Sequence, residues 1–143
     1  SAQTDAPAER KPWNPEEMQS LTSQLVNEIG TVRKEARKEP HLQNPQRPGG
    51  QKVTSFMENL RLLENSAKQL ASRVKSGGGL EETQGIARKF GVLLRDSEVL
   101  GRSLNLSASI TRDLEAAQRT LNKLAPYYGA KPLYPKLESA GDA

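Results

Sequence analysis

Side chains that usually carry enzymatic or metal chemistry are scarce in this sequence. Its 143 residues include no cysteine and one histidine, His41. A disulfide framework, a thiolate metal site and a cysteine nucleophile are therefore excluded. A di-iron carboxylate bundle needs inward-facing Glu-x-x-His pairs, which a single histidine cannot supply. Since a zinc ligand set is also lacking, the sequence predicts neither a metal nor a cofactor.

The remaining candidates for catalysis are glycines and paired acids. Residues 77–79 are three glycines, but they lack the flanking strand and the Gly-Lys-Ser/Thr ending of a phosphate-binding loop. The acidic pairs Glu81/Glu82 and Asp96/Glu98 fall outside the predicted apolar stripes. Exposed carboxylates keep an ordinary pKa and make poor general acids. We therefore expect a protein that is not an enzyme and has no catalytic residues.

Cationic residues form the first candidate binding site. The formal net charge is +4, and if four helices alternate in direction, many of the cations meet at one end of the bundle. We call this end the basic pole, and its predicted anion-binding residues are Arg33, Lys34, Arg37, Lys38, Arg47, Lys52, Arg102 and Arg112. Such a surface suits an acidic partner, anionic lipid headgroups or nucleic acid. The alternative is that these charges complement helix dipoles and favour solubility.

Aromatic residues at the chain ends form the second candidate site. Of the six aromatics, four lie in the predicted terminal regions, and Leu133 joins them. Tyrosine and tryptophan combine a large apolar surface with a polar tip, which makes them frequent interface anchors. The predicted partner-docking residues are thus Trp13, Tyr127, Tyr128, Leu133 and Tyr134. The alternative is that the tyrosines fold back onto their own bundle.

Local signals divide the chain into an arm, a bundle and a tail. Residues 1–12 are small and polar and predict a flexible arm. Asn14 as N-cap, Pro15 at the first helical position and Glu17 closing a capping box predict a helix start. The bundle is expected over 13–126, and residues 127–143, here called the tail, are expected to be extended because of their prolines.

Apolar residues spaced three or four apart predict helices over about 15–39, 52–76, 80–104 and 108–125. The first stripe is Met18, Leu21, Leu25, Ile29, Val32 and Ala36, and the second is Val53, Phe56, Leu60, Leu63, Ala67, Leu70 and Val74. The third is Leu80, Ile86, Phe90, Leu93, Leu100 and Leu104, and the fourth is Ile110, Leu114, Ala117, Leu121 and Leu124. Leu62, Leu94 and Val99 lie off these stripes, which leaves self-association as an expectation.

The stretch 104–109 decides the number of helices. It contains no glycine or proline, yet the apolar stripe changes register across it. A turn capped by Asn105 or Ser107 gives four helices of matched length, and the alternative is a three-helix bundle with a long third helix. We predict an all-α fold, a four-helix up-down-up-down bundle.

These observations favour a non-catalytic interaction protein. The sequence predicts an accessory, scaffold or adaptor subunit that docks onto a larger protein complex through helical faces and its tyrosine-rich tail. The alternative is an electrostatic binder of an anionic membrane surface or nucleic acid through the basic pole. No apolar run reaches the ~18 residues of a membrane-spanning helix. Because the sequence opens with Ser1, we expect a processed or cloned segment. A periplasmic, a secreted and an organellar location all stay open.

Overall fold

The computed structural model describes residues 10–43, 50–129 and 131–135. Within these ranges the regular structure is helical: α1 (Pro15–Lys38), α2 (Gly50–Lys75), α3 (Leu80–Arg102) and α4 (Ala108–Leu124), with short 3-10 helices at Pro40–Leu42 and Ala125–Tyr127. The predicted four-helix bundle is therefore confirmed, and the three-helix alternative is wrong. Residues 1–9 of the predicted arm, Arg47, and residues 136–143 of the tail lie outside the described ranges.

Helix α1 begins at the predicted residues, with one difference. The Asn14 side chain accepts a hydrogen bond from the Glu17 backbone N–H at 3.1 Å, and Pro15 occupies the first helical position. The predicted capping box is not formed among the described residues: the Glu17 carboxylate accepts a hydrogen bond from the Tyr127 hydroxyl. The start of α1 is thereby tied to the end of α4.

The turn between α3 and α4 is made without glycine or proline. Asn105 takes the left-handed conformation, with φ at 53°, which asparagine tolerates better than most residues. Ser107 is the N-cap of α4, and its hydroxyl accepts a hydrogen bond from the Ile110 N–H at 3.3 Å. The two predicted cap candidates thus have different roles. Asn105 reverses the direction of the chain, and Ser107 caps the start of α4.

The predicted apolar stripes of α1, α2 and α4 all lie in the core. The prediction for α3 holds for Phe90 and Leu104, which are buried, but Leu80, Ile86, Leu93 and Leu100 are only partly buried at the edge of the core. The other buried residues of α3 are mostly small, and they are Thr83, Ala87, Gly91, Leu94, Ser97 and Gly101. Leu94 is fully buried, so it does not contribute to an exposed self-association face.

Packing around the bundle is uneven. Helix α1 packs on α2 and α4, and α2 packs on α3, whereas α3 and α4 make few direct contacts with each other. A bundle of four helices normally closes all four of these sides. The side between α3 and α4 is therefore partly open, and this opening accounts for the small-residue face of α3. None of the described helices combines the length and apolarity of a membrane span.

Candidate interaction groove between the third and fourth helices

The described part of the tail lies in the opening between α3 and α4. Leu133 is buried, with 2% of its surface exposed, and belongs to the hydrophobic core. Its backbone carbonyl lies directly on Gly91 of α3, where a Cβ atom would overlap the carbonyl oxygen. That same Cβ would lie 3.5 Å from a methyl group of Leu121 on α4. The tail thus replaces helix-to-helix packing at this level of the bundle.

Glycine is required at position 91 by this close approach. The atom in the way is backbone, which cannot rotate aside as a side chain would. The sequence signal for the site is the helical spacing of Thr83, Ala87, Gly91 and Gly101, a stripe of small residues on α3. The small residues Gly91, Ser97 and Gly101 predict the close approach of another helix, and at Gly91 the structure places the tail backbone there instead.

The tyrosines at the end of α4 pack against the start of α1. The ring of Trp13 meets Tyr127 edge-on at a centroid distance of 6.2 Å and Tyr128 at 5.7 Å. The Lys11 N–H donates to the Pro126 carbonyl at 2.9 Å. We call Trp13, Tyr127 and Tyr128 the terminal aromatic cluster. This cluster joins the start of α1 to the end of α4, at the end of the bundle opposite the basic pole.

Burial of the tyrosines changes their acidity. Burial, reinforced by the Glu17 carboxylate, raises the pKa of Tyr127 to about 12. Burial also raises the pKa of Tyr128, whose hydroxyl shares a 2.8 Å hydrogen bond with Thr83 on α3. These hydroxyls therefore stay protonated across the neutral range.

The predicted docking residues consequently lie against their own bundle. Tyr127, Tyr128 and Leu133 are buried, and Trp13 and Tyr134 are half-buried. The structure thus favours the folded-back alternative for the isolated chain. Partner docking by these residues stays a prediction, and it requires that the tail leave the position it occupies here.

Beyond the tail the opening continues as a groove toward the basic pole. We call it the α3–α4 groove, and its volume is about 530 Å³. Leu106, whose methyl group covers Gly101, and Leu114 supply its apolar surface. The polar and charged side chains that line it are Glu98, Arg102, Asn105, Thr111, Glu115 and Gln118.

Negative charge is concentrated where the tail meets this groove. Burial raises the pKa of Glu98 and the Glu115 carboxylate raises it further, while the Tyr134 hydroxyl and Arg102 oppose both effects. One carboxylate oxygen of Glu98, Oε1, is buried with no hydrogen-bond partner among the described residues. The expectation that Glu98 is an ordinary exposed acid is therefore wrong. Burial likewise raises the pKa of Tyr134 to about 12, helped by the negative charge of Glu98.

The basic pole brings together the ends of all four helices. The His41 ring is 3.1 Å from the Leu104 carbonyl oxygen, which links the segment after α1 to the α3–α4 turn. Arg33 is half-buried and forms an ion pair with Glu64 of α2. The other described cations of the pole are exposed, and they are Lys34, Arg37, Lys38, Lys52, Arg102 and Arg112.

Among the described residues, no group of three or more His, Asp or Glu side chains is arranged to hold a metal ion. Comparison of the chain with protein-family models, curated proteins and solved structures gave no match. Any function has therefore to be inferred from the groove, the tail and the basic pole themselves.

Proposed function

We propose that this chain is a non-catalytic helical-bundle interaction protein, an accessory, scaffold or adaptor subunit that docks onto a larger protein complex. The observation that supports this most directly is the tail lying between α3 and α4 in place of a helix-to-helix contact. A cleft that holds one irregular peptide segment has the shape and chemistry to hold another.

The tail and its cleft form two complementary docking elements. Tyr134 belongs to a residue type that is enriched among those that dominate binding energy at interfaces, and Leu133 adds an apolar surface beside it. Only a short segment has to detach for these anchors and their cleft to become available, and the rest of the core stays packed. A partner that binds either element shifts the equilibrium toward the detached tail by its differential affinity.

Two glycines of α3 provide a matched pair of variants for the test. A side chain at Gly91 overlaps the Leu133 backbone, whereas a Cβ at Gly85 meets nothing within 4 Å. Gly91→Ala therefore displaces the tail without removing any of its residues, and Gly85→Ala controls for the change in helix propensity. A chain ending at Gly129 removes the anchors altogether.

The experiment is affinity capture from source-cell lysate at moderate salt, with retained proteins identified by mass spectrometry. We expect one stoichiometric protein to be retained more strongly by Gly91→Ala than by Gly85→Ala. Loss of that protein with the chain ending at Gly129 assigns docking to the tail, and its retention assigns docking to the cleft. Equal retention by all variants would contradict a role for either element.

The second candidate function is electrostatic binding of an anionic membrane surface or nucleic acid. It is favoured by the exposure of Lys34, Arg37 and Lys38 on the last turns of α1. Changing these three residues to glutamate should abolish retention of lipid or nucleic acid and its salt dependence. The same variant should still retain a protein that docks through the tail.

A further inference from the structure

The α3–α4 groove begins where the described tail stops. The tail advances along α3 in order: Tyr128 bonds to Thr83, and the Leu133 carbonyl lies on Gly91. The Tyr134 hydroxyl then reaches Glu98, which lines the groove. The described part of the tail thus runs toward the α3–α4 turn, and it stops beside the groove at Pro135.

The distances along the two elements agree. Glu98 lies seven residues beyond Gly91 on α3, which is about 10 Å of helix. Lys136 lies three residues beyond Leu133, which is up to about 10 Å of chain. On α4, Leu114 lies about 10 Å back from Leu121, and Leu137 can reach up to about 13 Å from Leu133.

The chemistry of the groove also matches those two residues. The groove holds a carboxylate oxygen of Glu98 without a described partner, and the two acids Glu98 and Glu115 outnumber Arg102, the cation among the described residues that line it. Leaving such an oxygen buried and unpaired is unfavourable, and a cation relieves both the missing hydrogen bond and the repulsion. Next to the acids, Leu106 and Leu114 offer an apolar surface. The sequence after Pro135 reads Lys136-Leu137, a cation followed by an apolar side chain.

We propose that the α3–α4 groove is the binding site of the chain's own next residues, Lys136 and Leu137. The Lys136 ammonium pairs with the carboxylates of Glu98 and Glu115. Leu137 packs on the apolar side of the groove, against Leu106 and Leu114. The tail would then run the length of the opening and complete the fourth side of the bundle. This inference is independent of the proposed function, since it concerns the purified chain alone.

The absence of cysteine makes disulfide trapping a clean test. Glu138→Cys, which leaves both proposed contact residues intact, is combined with Thr111→Cys, an exposed position that lines the groove. The matched control combines Glu138→Cys with Arg112→Cys, which is equally exposed and adjacent in sequence but does not line the groove. Arg112 is turned by about 100° around the helix from Thr111, which moves it away from the geometry that a disulfide needs.

Under mild oxidation of dilute protein, we expect the Thr111 pair to form an intramolecular disulfide about five-fold faster or more than the Arg112 pair. Adding Lys136→Glu should abolish this advantage, whereas Lys131→Glu, at an exposed position of the same tail, should preserve it. Equal rates for the two pairs would overturn the proposal. Disulfide-linked dimers in place of the intramolecular bond would also overturn it, and would assign the groove to the tail of a second copy.

Discussion

Replacing Gly91 by alanine tests the central feature of this fold, the tail packed in place of a helix-to-helix contact. The added Cβ overlaps the Leu133 carbonyl oxygen, so the tail has to move off α3. Burial of a leucine side chain contributes about 1.5–3 kcal/mol, and this contribution is lost with the displacement. Alanine in place of glycine gains back about 1 kcal/mol of helix propensity.

Gly85→Ala isolates the packing effect. It lies on the same helix, its Cβ meets nothing within 4 Å, and it gains the same helix propensity. The difference in unfolding free energy between the two variants is therefore about 1.5–3 kcal/mol, with Gly91→Ala the less stable. In urea, this corresponds to a midpoint difference on the order of 1 M, measured by far-UV circular dichroism.

Limited proteolysis shows whether the tail is the part of the protein that Gly91→Ala displaces. Chymotrypsin cleaves after leucine and tyrosine, and Leu133 and Tyr128 are buried in the native chain. We expect faster cleavage after Leu133 in Gly91→Ala than in Gly85→Ala, with Tyr128 equally protected in both, under conditions where the bundle itself stays folded. If the two variants are equally stable and equally resistant, the tail does not lie on Gly91 and the reasoning is refuted.

Three further outcomes follow from single residues. The raised pKa of Tyr127, about 12 against an ordinary value of 10.0, means that the folded protein holds this proton more tightly than the unfolded chain. The unfolding free energy should therefore be independent of Tyr127 below about pH 10 and should fall as the pH rises toward 12. Tyr127→Phe removes the bond to Glu17 and should make this fall shallower, as measured by urea unfolding at a series of pH values. Asn105→Ala should lower the unfolding free energy by about 1 kcal/mol because of the positive φ, while Asn105→Gly should not; equal effects would contradict the left-handed turn. Burial and the neighbouring Glu35 carboxyl raise the pKa of Asp113, so ionisation of Asp113 opposes folding as the pH rises through that value. Asp113→Asn should thus raise the urea midpoint near pH 7 but not near pH 3, and an equal rise at both would exclude ionisation as its cause.

The sequence was sufficient to predict the helices whose apolar residues all face one core. In α1, α2 and α4, the large apolar side chains all lie on the face that packs into the core, so the hydrophobic period and the buried face coincide. Asn105 and Ser107 were identified as cap candidates because the change of register required a turn near them. Which residue would reverse the chain depends on a single backbone dihedral angle, and no residue pattern specifies that.

The helix α3 was predicted, but its full buried face and the α3–α4 groove were not, for a physical reason. Helix α3 packs on α2 on one side and on an irregular peptide on the other, and the backbone of that peptide approaches so closely that it requires glycine at position 91. A hydrophobic pattern detects large side chains and reads a small-residue face as polar. The burial of Glu98 could not be predicted either. The tail that buries it has no sequence periodicity from which its path could be inferred.

The position of Trp13 gives this protein an internal optical reporter. It is the single tryptophan of the chain, and it is in edge contact with the rings of Tyr127 and Tyr128. Its fluorescence emission and the energy it receives from these tyrosines therefore respond to the junction between the start of α1 and the end of α4. Because Leu133 is held separately on Gly91, detachment of the tail beyond Gly129 should leave this emission nearly unchanged, whereas opening of the junction should shift it to longer wavelength. One unlabelled sample can thus distinguish release of a peptide from separation of the helices.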